Sequence, residues 1–270
     1  MNLFRGQSRD PGWGTVYGGQ VLGQALSAAS QTVPSERIAH SLHGYFLRPG
    51  DVNAPIVYDV DCIRDGKSFT TRRVVAIQHG KAIFNMAASF QVAEPGYDHQ
   101  ASMPEAPAPE TLKTERELAQ SIAHKLPEPF RSRVTAERPI ELRPVDPINF
   151  LKPETRPPHR QVWYRAADAL PDDLWVHQCL LAYASDFYFL ATAMMPHAVS
   201  PFQPNMQVAS LDHSMWFHRP FRIDEWLLYD IDSPSASGAR GLARGQFFDQ
   251  KGTLVASTAQ EGLMREHSRR

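Results

Sequence analysis

The sequence predicts an α+β protein built from two tandem units, each an enclosed helix followed by an antiparallel sheet. Three observations predict it. First, the chain repeats itself at a shift of 171 residues. Between His43–Asp61 and Ser214–Asp232, Phe46 falls on Phe217, Arg48 on Arg219 and Pro49 on Pro220, and Tyr58-Asp59-Val60-Asp61 falls on Tyr229-Asp230-Ile231-Asp232, which is six identities in 19 positions. Second, two long apolar stretches carry almost no charge and end at Pro34 and Pro196. Third, each is followed by runs of β-branched and aromatic residues separated by turn signals.

The elements follow in order. A strand-like fragment, Leu3-Phe4-Arg5-Gly6-Gln7, opens the chain. A helix is expected from Gly19 to Val33; it has no charged residue, so other structure must enclose it. Strands are expected at Ser41–Leu47, Ile56–Ile63, Thr70–Gln78 and Ala82–Gln91, with His79-Gly80 as the turn between the last two. Twelve of the 22 prolines then fall between Glu94 and Pro158. Proline interrupts helices and sheet ladders, so residues 96–158 read as a connecting segment with one helix near Leu112–Lys125. It divides an N-terminal unit, 1–95, from a C-terminal unit, 159–270. In the second unit one continuous helix is expected from Asp173 to Met195, capped by Asp172 or its neighbour. Strands follow at Gln207–His218, Glu225–Asp232, Arg240–Phe248 and Thr253–Met264, with Gln250-Lys251-Gly252 as a turn.

Composition excludes several classes. With 28 Lys and Arg against 29 Asp and Glu, the net charge of −1 argues against a nucleic-acid partner. Two cysteines, Cys62 and Cys179, are too few for a disulfide scaffold or a cysteine zinc site, and their scarcity suits the cytoplasm. Met1 to Gly12 has no apolar signal region, and His267-Ser268-Arg269-Arg270 is not the Ser-Lys-Leu peroxisomal address. The apolar run Trp175–Met195 is long enough to span a bilayer, but His177, Gln178, Ser185, Asp186 and Thr192 are costly in lipid. A buried helix, with no membrane partner, is expected.

The chemistry starts from absences. The chain has no G-x-S-x-G, H-E-x-x-H, C-x-x-C or G-x-G-x-x-G, and Gly66-Lys67-Ser68 lacks the upstream glycine of a phosphate loop because position 61 is Asp. No metal and no cofactor are expected. Asp186 is the one charge within Trp175–Met195. It is either a structural carboxylate tied to backbone amides or to an arginine such as Arg240, or a general base. It has no acidic counterpart in the first helix, which favours function. Asp212 and His213 point to opposite faces of a strand and cannot act together on one substrate. His213, His218, His40 and His43 therefore read as polar sheet residues. Arg48-Pro49 and Arg219-Pro220 occur in both repeats and read as architecture.

Several segments together resemble the acyl-CoA thioesterase II family of bacteria and peroxisomes. They are Phe4-Arg5-Gly6-Gln7-Ser8, Gly18-Gly19-Gln20-Val21, His43 to Asp51, Tyr183-Ala184-Ser185-Asp186, Asp212 to Pro220, and Ser257-Thr258-Ala259-Gln260-Glu261-Gly262. The resemblance covers nearly the whole chain. It implies a double hotdog, in which each antiparallel sheet unit wraps around its helix, and hydrolysis of medium- to long-chain acyl-CoA to fatty acid and CoA. It also implies three catalytic residues: Asp186 on the second helix, Ser210 on the following strand, where bacterial members carry Thr, and Gln260 on the last strand. No bound cofactor is implied, and a homo-oligomer is. Two other readings stay open. A hotdog hydratase or dehydratase would need a His or Glu partner for Asp186, and position 191, where a helical His would stand, is Ala. A silent acyl-CoA binding module would lack one of the three polar residues.

Overall fold

A computed structural model describes the chain except residues 1, 11, 13, 127, 129, 150 and 268–270, so the last three residues of the C-terminal tetrapeptide lie outside the described residues. The first unit runs β1 (Leu3–Gly6), α1 (Gly18–Ser30), β2 (Arg37–Phe46), β3 (Ile56–Asp65), β4 (Phe69–Gln78) and β5 (Lys81–Val92). Next come α2 (Glu115–Ile122), α3 (Phe130–Thr135) and β6 (Ile140–Pro144). The second unit runs β7 (His159–Ala166), α4 (Leu174–Ala184), α5 (Phe189–Met194), β8 (Met206–Ser210), β9 (Asp212–Phe217), β10 (Leu227–Ser237), β11 (Arg240–Asp249) and β12 (Leu254–Glu266).

All strands join one antiparallel sheet in the order β1-β3-β4-β5-β2-β9-β12-β11-β10-β7-β6, with β8 paired to β12. The two units meet at β2 and β9, where His43 lies opposite Ser214. These two positions are equivalents in the sequence repeat, so a pseudo-twofold axis passes between them. The repeat extends to the irregularities. The β3–β4 register slips between Asp61 and Arg64, and the β10–β11 register slips at the equivalent Asp232 and Ser235. A bulge bends a strand and turns its side chains, so a repeated bulge reproduces the same curvature in both units.

The core lies between sheet and helices. Eight of the 13 residues of α1 are buried, among them Val21, Leu22, Ala25 and Leu26. The helix packs on β2–β5 and against α4. Gly19 and Gly23 stand one turn apart on the face toward α4. A Cβ at Gly19 would lie 2.2 Å from the Tyr183 carbonyl oxygen, and one at Gly23 would lie 2.8 Å from that of Cys179. Only glycine permits backbones this close.

The connecting segment does more than connect. Its strand β6 pairs with β7 at the sheet edge, and α2 begins with a capping box between Thr114 and Glu117. Glu115 accepts the Tyr188 hydroxyl and pairs with Arg138.

The structure corrects two expected elements. The helix expected over Asp173–Met195 is broken into α4 and α5, with Tyr188 at a positive φ of 64° between them. Neither proline nor glycine causes the break. Carbonyls freed from the helix ladder find donors elsewhere: the Tyr229 hydroxyl donates to Ser185 O at 3.2 Å and the Tyr164 hydroxyl to Phe187 O at 3.0 Å. No helix among the described residues is long and apolar enough to cross a membrane. The strand expected over Gln207–His218 is likewise two, β8 and β9. Their pairing with β12 shifts by one residue between Ser210↔Gly262 and Ser214↔Ala259.

Candidate active site

Asp186 sits in the α4–α5 break rather than on a helix face, and both its carboxylate oxygens are used. Oδ2 accepts the Gly19 backbone N–H at 2.9 Å, and Oδ1 accepts a hydrogen bond from Gln260 Nε2 at 3.1 Å. The Ser210 hydroxyl accepts from the same Gln260 nitrogen at 2.6 Å and points its own hydrogen toward Asp186 Oδ1 at 3.4 Å. The three side chains singled out in the sequence therefore form one hydrogen-bonded ring. Arg240 takes no part in it and pairs with Glu261.

Each member is delivered by a local feature. Gly19 lies in the first turn of α1, whose N-cap residue, Tyr17, makes no side-chain cap. Asp186 supplies the missing acceptor from another element, and the partial positive charge of the helix N-terminus faces its negative charge. The Gly19–Gly23 contact with α4 is what lets the two approach. We expect Gly19→Ala to push α1 off Tyr183, costing about 1–3 kcal/mol of stability. Moving the Gly19 N–H from Asp186 should also lower kcat about tenfold, the equivalent of roughly 1.4 kcal/mol. Thermal melts with steady-state kinetics check both; an unchanged melting temperature would show that the helices need no such contact.

Ser210 and His213 face the same side of the sheet although they are three residues apart. In a regular strand they would face opposite sides. The one-residue bulge at Leu211–Asp212 turns them together, and Asp212 caps it by accepting the Glu261 N–H at 2.6 Å. His213, read from sequence as an ordinary polar sheet residue, is fully buried against this site. Its Nδ1 lies 2.8 Å from Gln260 Oε1 and its Nε2 lies 2.9 Å from the Ser185 hydroxyl. Burial pushes its pKa below the ordinary histidine value, opposed by the nearby charge of Asp186. Asp212 and His213 take different hydrogen-bond partners.

Tyr17 was also missed. Its ring stacks on Phe187 with centroids 4.7 Å apart and meets Tyr183 edge-on. Its hydroxyl is buried with no hydrogen-bond partner among the described residues. Burial first, then the charge of Asp186, pushes its pKa well above the ordinary tyrosine value and keeps it a neutral phenol. The one signal in the sequence was its place directly before Gly18-Gly19.

The first unit has the same bulge, between Ala39 and Ser41. By strand register, Ala39 stands for Ser210, Leu42 for His213 and Ala88 for Gln260, the turn before β12 being one residue longer than the turn before β5. Among the described residues the polar ring therefore occurs once, on the α4–α5 side. Among the described residues no group of His, Cys, Asp or Glu is arranged to hold a metal ion. A cavity of about 640 Å³ lined by α2, by β6 and by the loop before β6, with Arg116 and Arg138 on its wall, contains none of the three ring residues.

Comparison with known proteins decides the family. Residues 9–91 match the acyl-CoA thioesterase N-terminal domain and residues 130–263 match the acyl-CoA thioesterase domain. The chain belongs to the acyl-CoA thioesterase II family. Among relatives of this family, acyl-CoA thioesterase 2 of Haemophilus influenzae is 48% identical over 97% of this chain and 92% of its own. Mouse acyl-coenzyme A thioesterase 8 is 44% identical over 93% of this chain and 80% of its own. The crystal structure of an acyl-CoA thioesterase II from Mycobacterium marinum, 44% identical, matches with a TM-score of 0.79 over 99% of this chain and 94% of that one. A hot dog fold protein of unknown function from Alicyclobacillus acidocaldarius, only 20% identical, still reaches 0.78 over 99% of this chain and 94% of that one. The fold is the double hotdog.

Proposed function

We propose that this chain hydrolyses medium- to long-chain acyl-CoA by direct attack of a water molecule held by Asp186, with Ser210 and Gln260 as its hydrogen-bonding partners. The observation that carries this reading is the ring at Asp186 Oδ1. The Ser210–Asp186 contact of 3.4 Å is its weakest link, at the outer limit of a hydrogen bond, so a water can bridge the pair at little cost. Asp186 takes a proton from that water as its oxygen attacks the thioester carbonyl carbon. Gln260 and Ser210 donate to the water or to the oxygen on which negative charge develops. The C–S bond then breaks, CoA leaves as the thiolate, and the proton on Asp186 returns to it directly or through solvent.

A hydratase would need a histidine or second carboxylate beside Asp186. The partners of Asp186 are Gln260, Ser210 and the Gly19 N–H, and His213 stands behind Gln260 with both ring nitrogens engaged. Release of free thiol from medium- and long-chain acyl-CoA tests the reading. Binding without thiol release would make the chain a silent acyl-CoA module, and conversion of a 2-enoyl-CoA to the 3-hydroxy thioester without thiol release would make it a hydratase. A cytoplasmic homo-oligomer accompanies this reading, and light scattering of the purified chain tests the assembly.

Ser210 acts here as a hydrogen-bonding partner, not a nucleophile. As a nucleophile it would need a base matched to an alcohol, and a carboxylate is a poor match. Ser210→Thr is expected to keep substantial activity. Ser210→Ala should lose about ten- to a hundredfold in kcat while staying above the uncatalysed rate. Rapid quenching followed by peptide mass spectrometry should find no acyl group on Ser210. An acyl-Ser210 formed and consumed at the turnover rate would replace water attack with covalent catalysis.

A further inference from the structure

The Gln260 side chain ends in an amide whose two halves match in size but have opposite hydrogen-bonding sense. The ring at Asp186 works only with the NH₂ half turned toward the carboxylate and Ser210. Reversed, the amide oxygen would face the carboxylate oxygen and lose that bond, and Ser210 would have to turn its hydrogen from Asp186 to the amide oxygen. Gln260 is 1% exposed, so solvent does not choose between the two orientations.

We propose that His213 is the positioning residue that sets the orientation of the Gln260 amide, an inference resting on the reading of Gln260 as a donor in the site. Gln260 Oε1 can only accept, so the His213 Nδ1 that lies 2.8 Å from it carries a hydrogen. Burial keeps the ring neutral, which leaves a lone pair on Nε2. That nitrogen faces the Ser185 hydroxyl at 2.9 Å; the same hydroxyl is also 2.9 Å from the Ala182 carbonyl, and its hydrogen is shared between the two. The sense of every bond is then determined. Ser185 donates to His213, His213 to Gln260, and Gln260 to both Asp186 and Ser210. Reversing any one member would oppose two lone pairs or two hydrogens.

The position of the ring fits this role. His213 links β12, which carries Gln260, to the residue immediately before Asp186, so one side chain holds both halves of the site in register. Its neighbour Asp212 accepts the Glu261 N–H and acts on the ring only through its charge, as the last and smallest influence on it. Its counterpart in the first unit is Leu42, which lies opposite Ala88, the counterpart of Gln260. Among the described residues the His–Gln pair stands in the unit that carries the carboxylate, and the equivalent pair in the other unit is apolar.

Three substitutions test the proposal. His213→Asn keeps an N–H donor near the Nδ1 position, His213→Gln carries its donor near the Nε2 position, and His213→Leu has none. Each is measured in the native background and with Gln260→Ala, by steady-state thiol release from acyl-CoA. The ¹⁵N resonance of the Gln260 side-chain amide is followed as well. We expect His213→Leu to lower kcat about ten- to a hundredfold, with KM changed by about twofold or less. His213→Asn should recover most of that loss and His213→Gln should not. With Gln260→Ala present, His213→Leu should add under about twofold, because its route to the substrate is gone. The amide resonance should shift in the Leu and Gln variants and return in Asn. Equal losses in both backgrounds, an Asn variant as poor as Leu, or an amide resonance indifferent to His213 would overturn the proposal. Should the Leu variant not fold, the Asn and Gln pair decides the same point. Absence of thiol release by the native protein would instead overturn the thioesterase reading, and the amide resonance would still test the orientation.

Discussion

Asp186→Asn is expected to lower turnover at least about 10³-fold while the chain still folds. Asparagine is nearly the same size, so packing at the α4–α5 break is kept. It cannot take a proton from water near neutral pH. It also cannot replace both acceptor functions of the carboxylate. Asp186 accepts from the Gly19 N–H on one oxygen and from Gln260 Nε2 on the other, whereas asparagine has one oxygen and one NH₂. One donor is left facing another donor, which costs about 1–3 kcal/mol of stability. Circular dichroism should show native secondary structure with a lowered melting temperature. Near-normal kcat in a folded Asn variant would remove Asp186 as the base.

Gln260→Ala is expected to lower kcat by about 10²–10³-fold, the usual cost of losing one preorganised donor. The substitution takes a hydrogen bond from Asp186 and another from Ser210, and it orphans the His213 Nδ1–H behind them. The first two losses act on the reaction; the third acts on stability, because His213 is fully buried and cannot turn to solvent. The two effects separate by measurement. A fall confined to kcat with KM nearly constant marks an interaction made in the transition state. A change confined to KM would assign Gln260 to substrate binding instead.

Much of the fold was legible in the residues because it rests on local chemistry. A charge-free helix must be enclosed, alternating apolar residues must lie on a sheet, and turns need residues such as His79-Gly80, both of which have positive φ. The internal repeat was legible because both units meet the same packing problem. The candidate site was legible in part. Asp186 stood out as a carboxylate in an apolar stretch, but Ser210 and Gln260 look like ordinary strand residues and were linked to it only by resemblance. His213 was passed over for a physical reason. Alternation between Asp212 and His213 ruled out their acting together, but it could not show that His213 shares a face with Ser210; that depends on the bulge at Leu211–Asp212, and register slips of one residue leave no pattern in composition.

By itself, then, the sequence determined the two α+β units, the enclosure of α1 and the single carboxylate of the apolar stretch Trp175–Met195, since each depends on periodicity and charge along one stretch of chain. Only the tertiary structure decided where that carboxylate points. The break after Ala184 has no proline or glycine to announce it; it persists because Tyr164 and Tyr229, on distant strands, satisfy the carbonyls it exposes. The cap on α1 comes from Asp186, 167 positions away from Gly19, and the orientation of Gln260 comes from a histidine 47 positions before it. A hydrogen bond depends on distance in space and on the sense of donor and acceptor, and neither is carried by the order of residues until folding brings them together.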